Sequence, residues 1–213
     1  RREARGRVRV GLWQQPRLPD EVWVADDGSG EATRHCIEDW QGKAPFLLHH
    51  VWHEDRGFRA AAIRNRAAAQ AQGDYLIFLD GDCIPFADFV ARHAALAEPR
   101  RFVSGNRLLL SERMTRQVLD AGHDPLHWSA WDWLKARWSG GVNRLLPLLR
   151  LPDGGWRDRL QHEWRGARTC NLALWREDLA AVNGFDESYA GWGHEDADLA
   201  VRRTDSKPGE LTL

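Results

Sequence analysis

The chain has 213 residues, 43% of them hydrophobic and 29% charged, which is enough apolar content for a full core and argues against a membrane-embedded or disordered protein. A formal net charge of −1 supplies no global basic field, so nucleic acid is not an expected partner. The three cysteines, Cys36, Cys83 and Cys170, are odd in number and widely spaced; they imply neither a disulfide framework nor a zinc knuckle and fit a reducing cytoplasm.

In chain order, Glu21 to Ala25 predicts a strand closed by Asp26-Asp27-Gly28-Ser29-Gly30, and Glu31 to Trp40 a helix, giving a βα unit with acid at the strand end. Phe46 to Trp52 predicts a second strand. Gly57 to Gln72, rich in alanine and arginine and followed by Gly73, predicts a helix, and Tyr75 to Leu79 an apolar strand. That strand ends in Asp80-Gly81-Asp82-Cys83. Ligands of open α/β sheets bind beyond the carboxyl ends of strands. Two carboxylates one residue apart at such a place can share a hard divalent cation whose other positions go to water and phosphate oxygens. The plainer alternative is a polar turn after a core strand. Further on, Asp88 to Leu96 reads as helical, Phe102 to Leu110 as extended, and Asp178 to Val182 as a short helix ended by Asn183-Gly184. Strands alternating with helices favour a mostly parallel sheet covered on both faces.

Between Ser111 and Arg168 the pattern changes. Trp128, Trp131, Trp133, Trp138, Trp156 and Trp164 are half of the chain's 12 tryptophans. Cations exceed acids from Trp131 to Arg168, and Leu145 to Pro152 is too short to span a bilayer but suits its interface. Peripheral membrane contact through residues 128–168 is one expectation; a helical insertion packed on the sheet is the other. No stretch approaches 18 consecutive apolar residues, and residues 1–6 lack the apolar centre of a signal peptide, so a cytoplasmic protein that visits the inner membrane at its surface is expected.

A second chemical constellation is Gly191-Trp192-Gly193-His194-Glu195-Asp196-Ala197-Asp198-Leu199. A capped, exposed helix explains the acids, which suit the positive end of a helix dipole. It does not explain Gly-Trp-Gly, which holds an aromatic plate beside the carboxylates as a sugar ring requires. One of these acids is a candidate general base for an acceptor hydroxyl.

Taken together, Ala25-Asp26-Asp27-Gly28-Ser29, Arg56-Gly57-Phe58 with Ala62-Ile63-Arg64-Asn65, Asp80-Gly81-Asp82, Asn183-Gly184-Phe185-Asp186 and the Gly191 to Leu199 run resemble, in order and spacing over roughly residues 18–202, a family 2 glycosyltransferase of the GT-A fold. The C-terminal part resembles the galactosyltransferase-like subdomain of chondroitin polymerase-type bacterial enzymes. The resemblance implies one GT-A domain, α/β, with a mostly parallel central sheet flanked by helices. Residues 1–110 would bind the donor and lack the family's first strand, 111–168 would form the Trp-rich insertion, 169–203 the acceptor side, and 204–213 a tail, in a chain shortened at both ends.

The resemblance also implies roles. Asp26 and Asp27 would contact the uracil and ribose of a UDP-sugar, Arg64 the nucleotide, Asp80 the ribose or a metal-bound water, and Asp82, with Asp80, a Mn2+ or Mg2+ ion. Trp192, Gly193 and Asn65 would line the sugar site, Glu195 would hold acceptor hydroxyls and Asp196 would be the base for an inverting transfer to a glycan or lipid-linked acceptor. His49, His50, His53, His123, His127, His162 and His194 read as structural or surface residues. Two other readings stay open: a nucleotide-sugar-binding remnant without activity, and a phosphatase of the haloacid dehalogenase type with Asp80 as nucleophile and Asp82 as general acid.

Overall fold

The computed structural model describes residues 8, 10–120, 124–149, 168–189, 191 and 195–205. The first βα unit forms as its sequence predicts. Strand β1 (Glu21–Asp27) passes through a turn into helix α1 (Glu31–Gln41); Gly28 takes the left-handed φ of 81° there, and Ser29 N donates to Asp26 Oδ1 at 3.1 Å. Strand β2 (Leu47–His53) runs parallel to β1, in register from Glu21↔Leu47 to Asp27↔His53. The acids that end β1 therefore lie beside the histidines that end β2.

Helix α2 (Ala60–Gln70) starts three residues later than the sequence suggests. Gly57 sits at φ 87° and Asp55 Oδ1 accepts from Gly57 N at 3.1 Å, so a turn occupies the segment that composition alone assigns to helix. Its buried alanines let the helix approach closely on two sides. Ile63 and Ala67 pack with Val51 and Trp23 on the β1–β2 pair, whereas Ala61 and Ala68 pack with Leu76, Phe78, Leu172 and Leu174. Both sheets thus meet one helix.

The second sheet has the order β3 (Tyr75–Leu79), β5 (Asn171–Trp175), β4 (Val103–Ser104), and both of its pairings are antiparallel. Parallel pairing, expected for most of the sheet, is confined among the described strands to β1 and β2. The reason lies in the connection: β5 follows the insertion instead of a crossover helix. It enters beside the carboxyl end of β3, with Leu79 opposite Asn171, and runs back along it. Each of the five apolar residues of β3 is half-buried, and its one partner among the described strands is β5. The extended run expected over Phe102 to Leu110 shrinks to β4 plus a bridge from Leu110 to Val142.

Helix α3 (Phe89–Ala95) links β3 to β4, and α4 (Glu112–Asp120) and α5 (Ala130–Trp138) carry the insertion. A capping box at Ser129 and Asp132 starts α5. Met114, Trp133, Ala136 and Val142 form a separate small core, backed by Phe86, Leu108 and Trp128. The tryptophans divide: Trp128 and Trp133 pack inward, whereas Trp131 and Trp138 are exposed by 55% and 81%; Leu134, Leu146 and Leu149 are exposed as well. Trp156 and Trp164 lie outside the described residues.

Helix α6 (Arg176–Ala181) ends in two left-handed residues, Asn183 at φ 58° and Gly184 at φ 71°. Helix α7 (Glu195–Asp205) runs two residues into the segment read from sequence as a tail. The main core joins Ala61, Leu172, Leu174, Leu179, Phe185, Leu199 and Ala200, so it ties α2, β5, α6 and α7 together beneath the acids that begin α7. Among the described residues, no helix is long and apolar enough to cross a membrane.

Candidate active site

Arg64, in the middle of α2, brings two of the sequence's acidic stations together. Its Nη2 donates to Asp80 Oδ1 at 3.2 Å and its Nη1 to Glu195 Oε1 at 3.1 Å, while Asp196 Oδ1 lies 3.8 Å from Nη1. The guanidinium is also 5.8 Å from the centre of the Phe185 ring, which backs it from the core side. Four residues expected to act together thus do meet: Arg64, Asp80, Glu195 and Asp196.

Arg107 adds a second cation, with Nη1 4.0 Å from Asp80 Oδ2. Sequence reasoning passed over it, because a single arginine in an irregular segment carries no local signal. Asp80, Asp82, Glu195 and Asp196 outnumber Arg64 and Arg107, so the cluster carries excess negative charge. Burial, the largest influence, raises Asp80 above the ordinary carboxylate range; Arg64 opposes this, and Asp82 and Asp196 add to it. Asp82 itself is exposed at the tip of the turn, and Cys83 Sγ donates to its Oδ1 at 3.6 Å.

The two acids that begin α7 differ in their partners. Asp196 accepts from Thr169 N at 3.1 Å and from Thr169 Oγ1 at 2.7 Å, which fixes the start of α7 to the residues that lead into β5. Glu195 is buried, and its Oε2 has no hydrogen-bond partner among the described residues. An orphaned carboxylate oxygen in a buried site is costly unless something else donates to it. Thr169 had no sequence signal; its role appears only when the acid it binds is seen.

The first acidic station is more closed than expected. Asp26 is 1% exposed, with Oδ2 3.0 Å from His50 Nε2. Asp27 pairs through Oδ1 with His53 Nε2 and through Oδ2 accepts from Arg59 N at 2.8 Å, and its side chain keeps 19% exposure. The two His–Asp pairs follow from the parallel register, which sets β2 beside β1. His50 and His53 are thereby each tied to an acid of β1.

Asn65, expected in the sugar site, spends its amide on the backbone instead. Its Nδ2 donates to Phe185 O at 2.8 Å and to Glu187 Oε1 at 2.9 Å, and its Oδ1 accepts from Phe185 N at 2.8 Å. It clamps the Gly184-Phe185 turn. Arg202 does the same from α7, donating through Nη2 to Gly184 O at 2.9 Å and through Nε to Asp198 Oδ2 at 2.8 Å. A cleft of about 940 Å3 borders this turn, with Asn65, Phe185 and Arg202 in its wall, but contains none of the four acids. Trp192 and Gly193 lie outside the described residues.

Cys83 and Cys170 converge on Asp80. The interaction between the two thiols, the largest influence on both, pulls Cys170 down to about 7 and raises Cys83.

Matches to known proteins give the family. Residues 11–129 match the family model described as Glycosyl transferase family 2, and residues 157–209 match one described as the N-terminal domain of galactosyltransferase. The chain is 31% identical over 206 residues to validoxylamine A glucosyltransferase of Streptomyces hygroscopicus subsp. limoneus, covering 90% of this chain and 43% of that protein. It is 26% identical over 211 residues to chondroitin synthase of Pasteurella multocida (strain Pm70), covering 89% of this chain and 20% of that protein. Among solved structures, the crystal structure of GalNAc-T7 with UDP, GalNAc and Mn2+ aligns with a TM-score of 0.47 at 18% identity, over 88% of this chain and 36% of that one. The chain thus spans less than half the length of these relatives. The family 2 model alone takes in more than half of this chain, and its α/β fold is GT-A-like. The chain belongs to glycosyl transferase family 2.

Proposed function

We propose that this chain transfers a sugar from a UDP-sugar to a hydroxyl of a glycan or lipid-linked acceptor, with inversion and with Mg2+ or Mn2+ held by Asp80 and Asp82. The observation that carries the reading is Arg64, which joins Asp80 on the donor side to Glu195 on the acceptor side within 3.2 Å of each. A bound divalent ion would supply charge neutralisation for the departing diphosphate. Carboxylate oxygens are the ligand type such an ion takes, and negative charge is in excess there.

The chain's own residues do the rest. Arg64 and Arg107 present guanidinium donors to the diphosphate oxygens. Of the first acid pair, Asp27 keeps an accessible edge for the nucleoside, while Asp26 anchors the turn. Glu195 Oε2 takes the proton from the attacking acceptor hydroxyl. Asp196, held by Thr169, fixes the first turn of α7 and so the position of Glu195; this is the reverse of the division expected from the sequence. A single base and one in-line displacement give inversion without a covalent intermediate.

The exposed Trp131, Trp138, Leu146 and Leu149, with Lys135 5.7 Å over the Trp131 ring, support contact with an anionic membrane surface that presents a lipid-linked acceptor. The donor assignment is tested by thermal unfolding against a panel of nucleotide sugars with and without Mn2+. A true donor at 100 times its Kd stabilises the folded state by about 2.7 kcal/mol. A folded protein that shifts with no UDP-sugar overturns the assignment.

A further inference from the structure

Asp80 lies between two thiols. A carboxylate oxygen of Asp80 and the Sγ atoms of Cys83 and Cys170 all fall within 4.8 Å of one another. The backbone creates the cluster. The β3–β5 register, with Leu79 opposite Asn171, brings Cys170 next to Asp80 at the ends of the two strands. A tight turn, with Cys83 N donating to Asp80 O at 3.0 Å, folds Cys83 back over the same residue. Two cysteines from opposite sides of the insertion are thereby gathered on one carboxylate.

A magnesium or manganese site has no use for sulfur, because hard ions select oxygen, whereas thiolates select zinc and its softer neighbours. Zinc bonds of about 2.3 Å to sulfur and about 2.0 Å to oxygen put tetrahedral ligands roughly 3.5–4 Å apart, within the spread of this trio. We propose that Asp80, Cys83 and Cys170 form a binding site for a thiophilic divalent cation, Zn2+ above all, which shares Asp80 with the donor-side metal position and excludes Mg2+ or Mn2+ from it. Asp82, whose Oδ1 is 3.6 Å from Cys83 Sγ, or a water completes the fourth position.

Charge favours the exchange. As the ion enters, each thiol passes its proton to solvent, so a dication arrives and two protons leave with no net charge added. Asp80 is paired on one oxygen with Arg64, while Arg107 Nη1 stands 4.0 Å from the other and its guanidinium also lies beside both thiols, so Arg107 must swing aside as the ion enters. The thiol–carboxylate site stands on this cluster alone, whereas the exclusion of Mg2+ or Mn2+ rests on the donor-side metal position proposed above.

Cobalt(II) serves as the spectroscopic stand-in for Zn2+. Titration of the reduced full chain with Co2+ is expected to raise a thiolate-to-metal charge-transfer band that saturates at one equivalent and is bleached by Zn2+. In Cys170→Ser and in Cys83→Ser the band should fall to about half and affinity should drop at least about tenfold; the double variant should lack the band. Co2+ binding without a charge-transfer band, or a band untouched by both substitutions, overturns the proposal. Should the serine variants not fold, zinc X-ray absorption on the unsubstituted chain decides the matter. Two sulfur neighbours at about 2.3 Å support the site, and oxygen or nitrogen neighbours alone refute it.

Discussion

Arg64 and Glu195 meet at 3.1 Å although 131 positions separate them in the chain, and their side chains are only 16% and 9% exposed. Removing one partner of a pair buried this well leaves the other charge uncompensated. Arg64→Ala is therefore expected to destabilise the fold by about 3–5 kcal/mol, read from the midpoint of urea unfolding at unchanged m-value. A loss below about 1 kcal/mol would mean that the pair is solvent-screened and does not hold the two halves of the site together.

Glu195→Gln and Asp196→Asn separate the base from the residue that positions it. Glu195→Gln is expected to lower kcat by about 10²–10⁴ with KM for the donor little changed and to abolish the basic requirement in the pH–rate profile. Asp196→Asn keeps that pH requirement and loses stability together with the Thr169 contact. UDP release in the presence of acceptor, followed against UDP binding alone, distinguishes a slow enzyme from a protein that only binds the donor. If Asp196→Asn instead erases the pH dependence and Glu195→Gln does not, the roles are exchanged.

His93 makes stability depend on pH. It is 5% exposed, and its Nε2 donates to Asn171 Oδ1 at 2.8 Å, an oxygen left free because Asn171 Nδ2 is used on Asn106 O at 3.2 Å. Burial lowers the His93 pKa below its ordinary 6.5, so the unfolded chain takes up the proton first as pH falls. The contribution is fully present above about 6.5 and is lost as pH drops through the lower folded value. Urea unfolding at a series of pH values should show this decline, and His93→Gln should flatten it. An unchanged slope in that variant assigns the decline to other groups.

Trp131 and Trp138 carry no core packing, so the double substitution Trp131→Ser, Trp138→Ser should alter stability by no more than about 0.5 kcal/mol. Flotation with vesicles rich in anionic lipid is expected to recover the unsubstituted chain and several-fold less of the double variant, with recovery falling as salt rises. A chain that stays in solution at low salt removes the membrane from the picture.

The sequence was most informative where an apolar run ends in acid. β1 and β3 appear within a residue or two of their expected bounds, because a strand that stops at a carboxylate is marked at both its inside and its end. β5 left no comparable trace. Leu172 to Trp175 is a four-residue apolar run directly joined to a helix, and neither period nor punctuation separates it from that helix. Its absence from the sequence reading also hid the antiparallel pairing and the meeting of Cys170 with Asp80. Within the site, Arg64, Asp80, Glu195 and Asp196 were legible as motif members, while Arg107 and Thr169 act only through long-range contacts that no local pattern records. Asn65 illustrates the converse: a motif neighbour of Arg64, it turns its amide to the Phe185 backbone and Glu187 instead of to the acids.

The alanines of α2 set a gauge. No strand among those described joins the β1–β2 pair to the β3–β5–β4 sheet, and the helix resting on both keeps Asp27 and Asp80 at a fixed span. A methyl group is the thickest spacer that this arrangement uses at Ala61 and Ala67. A larger side chain at either place would act as a shim, tilting one sheet against the other and stretching the distance a donor must bridge. Donor affinity would then change through residues that never touch the nucleotide.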